Sequence, residues 1–107
     1  MEKHNFKKKF GQNFLQDETV LLDIIENLVV SNNDLIIEVG PGAGALTKYL
    51  KTLDCQVLAY EIDASLESEL KKLEDKNTKI IFQDFMITDL SKDLNAYSYE
   101  KLFLVAN

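Results

Sequence analysis

Residues 35–44 read Leu-Ile-Ile-Glu-Val-Gly-Pro-Gly-Ala-Gly, and this stretch decides the fold. Its first five residues are apolar and mostly branched, apart from one glutamate, which is typical of a buried strand. Three glycines in the next five residues predict a tight turn, because glycine adopts positive φ and lets a ligand lie against the backbone. A helical pattern follows, with Leu46, Leu50 and Leu53 on one face. Strand, glycine turn and helix in this order predict the ligand crevice of an open α/β sheet.

The alternation of strands and helices extends along the rest of the chain. Strands are predicted over residues 56–60, 78–83 and 101–106, and helices over 17–30 and 65–73. Met86, Ile87 and Leu90 predict a short packed turn before the last strand. Strands that are separated by helices are expected to run parallel in one sheet, so the predicted fold class is α/β.

Three carboxylates, Glu38, Glu61 and Asp84, stand at or near the ends of successive predicted strands. Because the carboxyl ends of parallel strands meet at one edge of a sheet, we expect these groups beside the glycine turn. There Glu61 can accept hydrogen bonds from a ribose diol, and Asp84 can accept one from an adenine amino group. Ile62 and Met86 can supply apolar faces for the adenine ring.

The glycine turn is compatible with two kinds of ligand. Gly40, Gly42 and Ala45 match the loose dinucleotide pattern, and Glu61 follows about 20 residues later, as in NAD-binding domains. A carboxylate at Glu38 would repel a pyrophosphate, whereas it suits the ammonium and sulfonium groups of S-adenosylmethionine. We therefore favour S-adenosylmethionine. The structural alternatives are that Glu38 caps a neighbouring turn and that Glu61 belongs to the cap of the next helix.

Composition predicts a single globular domain: the chain has 107 residues, of which 46% are hydrophobic and 28% charged. No apolar run approaches the about 20 residues of a membrane span, and no signal-peptide pattern opens the chain. One cysteine and one histidine provide neither an internal disulfide nor a zinc site. A cytoplasmic protein without a metal is the expectation.

Charge is distributed unevenly along the chain. Residues 1–13 hold four of the 12 lysines and one of the 18 acids, although the net charge of the whole chain is −6. We expect residues 1–14 to form a basic arm in which Lys7, Lys8 and Lys9 contact RNA phosphates without reading sequence. The alternative is a solvated, frayed terminus.

Five motifs, taken in order, resemble the ribosomal RNA adenine dimethyltransferases, most closely the KsgA type that acts on small-subunit (16S) rRNA. They are Phe-Gly-Gln-Asn-Phe-Leu at 10–15, Glu-Val-Gly-Pro-Gly-Ala-Gly at 38–44, Glu-Ile-Asp at 61–63, Asp84, and Ala-Asn at 106–107. The resemblance implies a Rossmann-like class I S-adenosylmethionine-dependent methyltransferase fold, whose usual strand order would leave the fourth strand at an open edge. Residues 15–107 would be the N-terminal half of its catalytic domain.

The same resemblance implies a cofactor site. Asn13 and Leu15 would close over S-adenosylmethionine, the loop at Gly40 would lie against its methionine portion, and Glu61 and Asp84 would hold its ribose and adenine. The full set of implied cofactor-binding residues is Asn13, Leu15, Glu38, Gly40, Gly42, Glu61, Ile62, Asp84 and Asn107.

Asn107 would also be the first residue of the family's catalytic Asn-Leu-Pro-aromatic motif. The exocyclic amine of adenine is a poor nucleophile, because its lone pair is delocalised into the ring. An acceptor oxygen on Asn107 would bind the amine and localise that lone pair. The implied protein is a monomeric cytoplasmic enzyme that methylates adenines of rRNA in a small-subunit precursor. Because the later strands and a helical C-terminal domain are missing, we expect the isolated fragment to be inactive and marginally stable.

Three alternative functions remain open at this point. One is an Erm-type methyltransferase that acts on large-subunit rRNA and confers macrolide resistance. The others are an NAD-binding dehydrogenase domain and a non-catalytic RNA-binding protein on a methyltransferase fold.

Overall fold

Four parallel strands form one sheet in the order β3-β2-β1-β4 in the computed structural model, which describes residues 28–106. The strands are β1 (Leu35–Val39), β2 (Gln56–Tyr60), β3 (Thr78–Ile81) and β4 (Leu102–Ala106). The helices are α1 (Ala45–Leu50), α2 (Glu67–Lys71) and α3 (Leu90–Leu94), and short 3-10 turns occupy Lys51–Leu53, Ala64–Leu66 and Phe85–Ile87. The predicted α/β class and all four predicted strands are confirmed.

The two faces of the sheet carry separate parts of the core, because successive side chains of a strand point to opposite faces. Ile36 lies on the face covered by α1, where Leu46 and Leu50 pack on it. Ile37 lies on the opposite face, where Phe85 and residues of α3 pack on it. All five side chains of β2 except Gln56 are buried, as expected for a strand with a neighbour on each side and a covered face above and below.

Strand β4 lies at the edge beside β1, as predicted, with Val39 opposite Ala106. Asp34 fixes the start of this pairing, although its role was not predicted. Its fully buried carboxylate accepts hydrogen bonds from the backbone N–H groups of Ser31 (2.9 Å) and Lys101 (3.1 Å). The residue that precedes β1 is thereby tied to the chain that enters β4.

Several predicted boundaries are wrong by a few residues. Of the helix predicted over 17–30, residues 17–27 lie outside the described part of the chain, and residues 28–30 have no regular structure. The helix predicted over 65–73 is replaced by a 3-10 turn and the five-residue α2, because the Asp63 carboxylate caps the chain at Ser65 (3.0 Å). Strand β3 ends at Ile81 instead of Gln83, since Asp84 starts the next turn.

The turn predicted around Met86 and Ile87 is present, but it is not packed as predicted. Met86 is 85% exposed and Ile87 is 82% exposed, and only Phe85 of this turn packs against the core. The following helix, α3, was not predicted. No helix among residues 28–106 is long and apolar enough to cross a membrane.

Candidate functional site

The strand order places a crevice beside the glycine loop. From β1 the chain proceeds to β2 and β3 on one side, and then returns to place β4 on the other side. In open α/β sheets, ligands bind outside the carboxyl ends of the strands at such a reversal of strand order. Residues 40–44 leave the carboxyl end of β1 at this point, so the loop singled out from the sequence occupies the position where a ligand is expected.

The glycine loop requires glycine at three positions. Gly40, Gly42 and Gly44 have φ values of 75°, 59° and 91°, in the region that L side chains rarely adopt. A Cβ at Gly44 would lie 2.5 Å from a methyl carbon of Leu73, so this glycine allows the loop to pack on the residues that follow α2. A Cβ at Gly42 would meet nothing within 4 Å. Gly44 therefore serves packing, whereas Gly42 faces open space in which a ligand can approach the backbone.

Glu61 holds the glycine loop from the neighbouring strand. Its buried carboxylate accepts the backbone N–H of Gly42 on Oε1 (2.9 Å) and that of Asp63 on Oε2 (3.0 Å). The backbone N–H of Gly40 also donates to the carbonyl of Tyr60 (2.9 Å). The loop is thus attached to the end of β2 at two points. Each oxygen of Glu61 keeps a further lone pair for a ligand hydroxyl.

Glu38 is buried beneath the loop, with 2% of its surface exposed. The hydroxyl of Thr47, on α1, donates a hydrogen bond of 2.6 Å to its Oε1. The pKa of Glu38 is raised to about 7, mainly by burial; the hydrogen bond from Thr47 opposes this rise, and the charge of Glu61 adds to it. At neutral pH this carboxyl is therefore close to half protonated, which makes it sensitive to any charge placed near it.

A cleft of about 130 Å³ lies across the ends of β1, β2 and β3. Asp84 lines it and is half-buried, and its carboxylate accepts the backbone N–H of Met86 (2.9 Å), which fixes the turn that follows. Ile62 and Met86 also line the cleft and are largely exposed, at 69% and 85%. The remaining lining residues are Val39, Gly40, Tyr60, Gln83 and Phe85.

Some of the residues singled out from the sequence meet in this region, and others do not. Glu61 contacts Gly42, and Asp84 lies in the same cleft as Gly40 and Ile62. Glu38 does not line the cleft, since its carboxylate is bonded to Thr47 on α1. The other candidates lie outside the described residues: Lys7, Lys8, Lys9, Asn13, Leu15 and Asn107.

Two residues with contacts at the site were not singled out from the sequence. Thr47 is fully buried, and a buried hydroxyl needs a hydrogen-bond partner; a threonine next to Leu46 on the apolar face of the helix is the signal that could have pointed to it. Tyr60 was predicted only as the end of a strand, yet its ring lines the cleft and its hydroxyl donates to Asp93 (2.6 Å). Sequence offers no signal for a pair that is 33 residues apart.

The described residues hold no group of three or more histidine, cysteine, aspartate or glutamate side chains that could bind a metal ion. The polar side chains of the site are the carboxylates of Glu61 and Asp84, which are hydrogen-bond acceptors beside the glycine loop. This arrangement favours an organic ligand that carries hydroxyl, amino or cationic groups.

Comparison with known proteins agrees with the fold and identifies relatives. A solved dimethyladenosine transferase from Plasmodium falciparum superposes with a TM-score of 0.65 at 27% identity, over 85% of this chain and 32% of that one. The solved 23S rRNA methyltransferase ErmE superposes with a TM-score of 0.63 at 35% identity, over 71% of this chain and 32% of that one. The parallel sheet is thus the Rossmann-like methyltransferase sheet expected from the sequence.

A relative from onion yellows phytoplasma, ribosomal RNA small subunit methyltransferase A, is 44% identical over 94 residues. That alignment covers 88% of this chain but only 35% of the relative, so the chain spans about a third of the length of this relative. The family model described as ribosomal RNA adenine dimethylase matches residues 3–107. The chain therefore belongs to the ribosomal RNA adenine dimethylase family.

Proposed function

We propose that this chain is the N-terminal part of an enzyme that transfers methyl groups from S-adenosylmethionine to adenines of small-subunit rRNA. The observation that carries the proposal is the glycine loop whose middle glycine faces open space, attached to Glu61 and continuous with the cleft at Asp84. Membership of the adenine dimethylase family supports the same reaction class. Activity, substrate and partners are proposed here for the full-length protein, of which residues 1–14 would be a basic arm.

The residues of the site fit S-adenosylmethionine in their chemistry. The space in front of Gly42 admits a chain lying directly on the backbone, which suits the methionine portion. Glu61 retains one lone pair on each oxygen and can accept both ribose hydroxyls without releasing Gly42 or Asp63. A pyrophosphate would instead approach the carboxylate of Glu61 at an electrostatic cost.

The adenine portion would lie between Ile62 and Met86. Asp84 offers a carboxylate oxygen to the adenine amino group, while its other oxygen is bonded to the N–H of Met86. Ile62 and Met86 are among the most exposed apolar side chains of the described residues, and covering them with a ring would remove apolar surface from water. The ligand would thereby be held by hydroxyl and amino contacts at fixed points and by apolar contact between them.

S-adenosylmethionine, when bound, supplies an electrophilic methyl group on a positively charged sulfur. The chain's own contribution is to hold the acceptor adenine in line with that methyl group and to exclude water. Strand β4 ends at Ala106 opposite Val39, so the chain leaves the sheet next to the glycine loop. We propose that Asn107, which follows, accepts a hydrogen bond from the target amine and localises its lone pair, with Asn13 and Leu15 closing the cofactor side.

The proposed substrate is rRNA in a precursor of the small ribosomal subunit, and the proposed setting is the cytoplasm. The small-subunit name of the phytoplasma relative supports this choice. Lys7, Lys8 and Lys9 would contact the RNA backbone, since lysines meet phosphates as point charges. We propose that the enzyme acts as a monomer.

Methyl transfer from labelled S-adenosylmethionine tests the reaction directly. The full-length protein is expected to label adenines of a small-subunit precursor and not those of a large-subunit precursor. The likeness to ErmE at 35% identity favours the second candidate, a large-subunit methyltransferase, and labelling of only the large-subunit RNA would select it. Labelling of neither RNA would contradict both proposals.

Calorimetric titration with S-adenosylhomocysteine tests the site independently of turnover, with NADH as the competing ligand. Asp84→Asn is expected to weaken S-adenosylhomocysteine about ten-fold, because the lost carboxylate is a charge-assisted acceptor. Asp89→Asn is the matched control. Asp89 likewise caps the element that follows it, helix α3, since its carboxylate accepts the backbone N–H of Lys92 (3.2 Å). It does not line the cleft, so its variant should bind S-adenosylhomocysteine normally. Tight NADH binding would overturn the proposal.

A further inference from the structure

Helix α3 contributes no residue to the walls of the cleft, yet one of its side chains is bonded to a cleft residue. The hydroxyl of Tyr60 donates a 2.6 Å hydrogen bond to Oδ2 of Asp93. Tyr60 is only 1% exposed, and burial together with the Asp93 carboxylate raises its pKa, so it remains a protonated donor at all physiological pH values. This bond fixes the far end of the Tyr60 ring.

The ring of Tyr60 also contacts the 3-10 turn that follows Asp84. The rings of Tyr60 and Phe85 meet edge to face, with centroids 5.3 Å apart and planes inclined by 62°. Because Met86 and Ile87 are exposed, Phe85 is the only side chain of the 3-10 turn that packs on the core. The position of this turn, and with it that of Asp84 and Met86, therefore depends on where the Tyr60 ring lies.

Tyr60 also holds the opposite wall of the cleft, which is the glycine loop, because its backbone carbonyl accepts a hydrogen bond from the N–H of Gly40 (2.9 Å). One residue thus links the glycine loop, through its backbone, to the turn at Phe85, through its ring. Without the bond to Asp93, the ring could rotate or shift within the core, and Phe85 would follow it. The separation of the two walls is consequently set from α3.

We propose that Asp93 and Tyr60 are positioning residues that set the width of the adenine side of the cleft by holding Phe85. The proposal rests on the proposed function, because it assigns the adenine portion of the ligand to the wall that Phe85 supports. Neither the hydroxyl of Tyr60 nor the carboxylate of Asp93 needs to touch the ligand, because the hydrogen bond between them acts through the Tyr60 ring and its contact with Phe85.

The test measures affinities of the full-length protein by calorimetric titration with S-adenosylhomocysteine and with adenosine. Asp93→Ala and Tyr60→Phe are each expected to weaken both ligands by the same factor, about three- to ten-fold, as loss of one buried hydrogen bond allows. Asp93→Asn keeps an acceptor oxygen for the Tyr60 hydroxyl and is expected to restore binding. The double variant Tyr60→Phe with Asp93→Ala should be no weaker than either single variant.

Cys55→Ala separates positioning from general destabilisation. Cys55 is buried on the opposite, α1 face of the sheet, so its truncation lowers stability without changing the cleft. Unchanged affinity in Asp93→Ala, or an equal loss of affinity in Cys55→Ala, would overturn the proposal. If the unmodified protein bound neither ligand, the proposed function itself would fail. Normal binding by all variants would instead overturn only the positioning role of Asp93 and Tyr60.

Discussion

Replacing Glu38 by glutamine is expected to remove a pH dependence of folding stability that lies between about pH 4.5 and 7. Glu38 is buried under the glycine loop, and burial is the main reason why its pKa rises from 4.5 to about 7. Between these values the folded protein keeps a proton on this carboxyl that the unfolded chain has released. Stability from this group is therefore fully present below pH 4.5 and declines as the pH rises to about 7.

The size of the effect follows from the two pKa values. At about 1.4 kcal/mol per pH unit, moving from 4.5 to 7 costs the folded state about 3 kcal/mol. The acids with a lowered pKa contribute outside this window. The pKa values of Asp34, Asp63 and Asp75 are lowered by hydrogen bonds, so their contributions are lost only as the pH falls below about 3.8.

The assay is urea unfolding of the full-length protein and its Glu38→Gln variant at intervals from pH 5 to pH 8. The variant is expected to gain about 2.5 kcal/mol relative to the parent between pH 5 and pH 8, because glutamine carries no charge to bury. A stability difference that is the same at pH 5 and pH 8 would refute the reasoning.

Thr47 supplies a matched pair of variants for the same titration. Thr47→Val removes the hydroxyl that donates to Glu38 at 2.6 Å, which should raise the pKa of Glu38 further and extend the decline to higher pH. Thr47→Ser keeps the hydroxyl and should retain the parent's profile, despite the lost methyl group. If serine and valine moved the profile equally, the hydrogen bond would not be its cause.

The remaining predictions concern the glycine loop and the base of the sheet. Gly44→Ala is expected to lower the free energy of unfolding by about 2–3 kcal/mol, since φ is 91° and the new methyl would crowd Leu73, whose flexible end can partly yield. Gly42→Ala should lower the free energy of unfolding by only about 1 kcal/mol, but it should weaken binding of S-adenosylhomocysteine more than Gly44→Ala does. Urea unfolding measures the first effect and calorimetric titration the second. Equal effects of the two variants would contradict the distinction between the two glycines. Asp34→Ala should lower the melting temperature and speed hydrogen exchange at Lys101, whose N–H it accepts, and unchanged exchange there would count against its role in β4.

Strands and the glycine loop could be predicted from the sequence because both depend on local patterns. Strand β1 is a continuous apolar run, and its predicted bounds, 35–39, are the observed ones. The glycine spacing likewise predicted positive φ, which all three glycines adopt. Parallel pairing then placed the ends of β1, β2 and β3 at one edge, so the neighbourhood of Glu61 and Asp84 followed from topology alone.

Elements that depend on contacts between distant parts of the chain could not be predicted in this way. Helix α3 has five residues, too few to show a helical period, and it is positioned by apolar contacts and by the bond between Asp93 and Tyr60. The partner of Glu38 was missed for the same reason, since Thr47 reaches it only when α1 packs on the sheet. Met86 was correctly placed beside Asp84 but was wrongly expected to be packed, because an apolar residue does not reveal whether protein or ligand covers it.

The carboxylate of Glu61 shows why structural and ligand-binding interpretations of such a residue need not compete. It accepts Gly42 from the glycine loop and Asp63 from the following turn, and both bonds exist without a ligand. If it also accepts the ribose hydroxyls, as proposed, the same two oxygens fix the loop that holds the methionine portion and the point that holds the ribose. A single rigid group then sets the distance between these two parts of the site. Substitution of Glu61 would consequently disturb the loop as well as the ribose contact, whereas the carboxylate of Asp84 is bonded to Met86, so its substitution removes no bond to the loop.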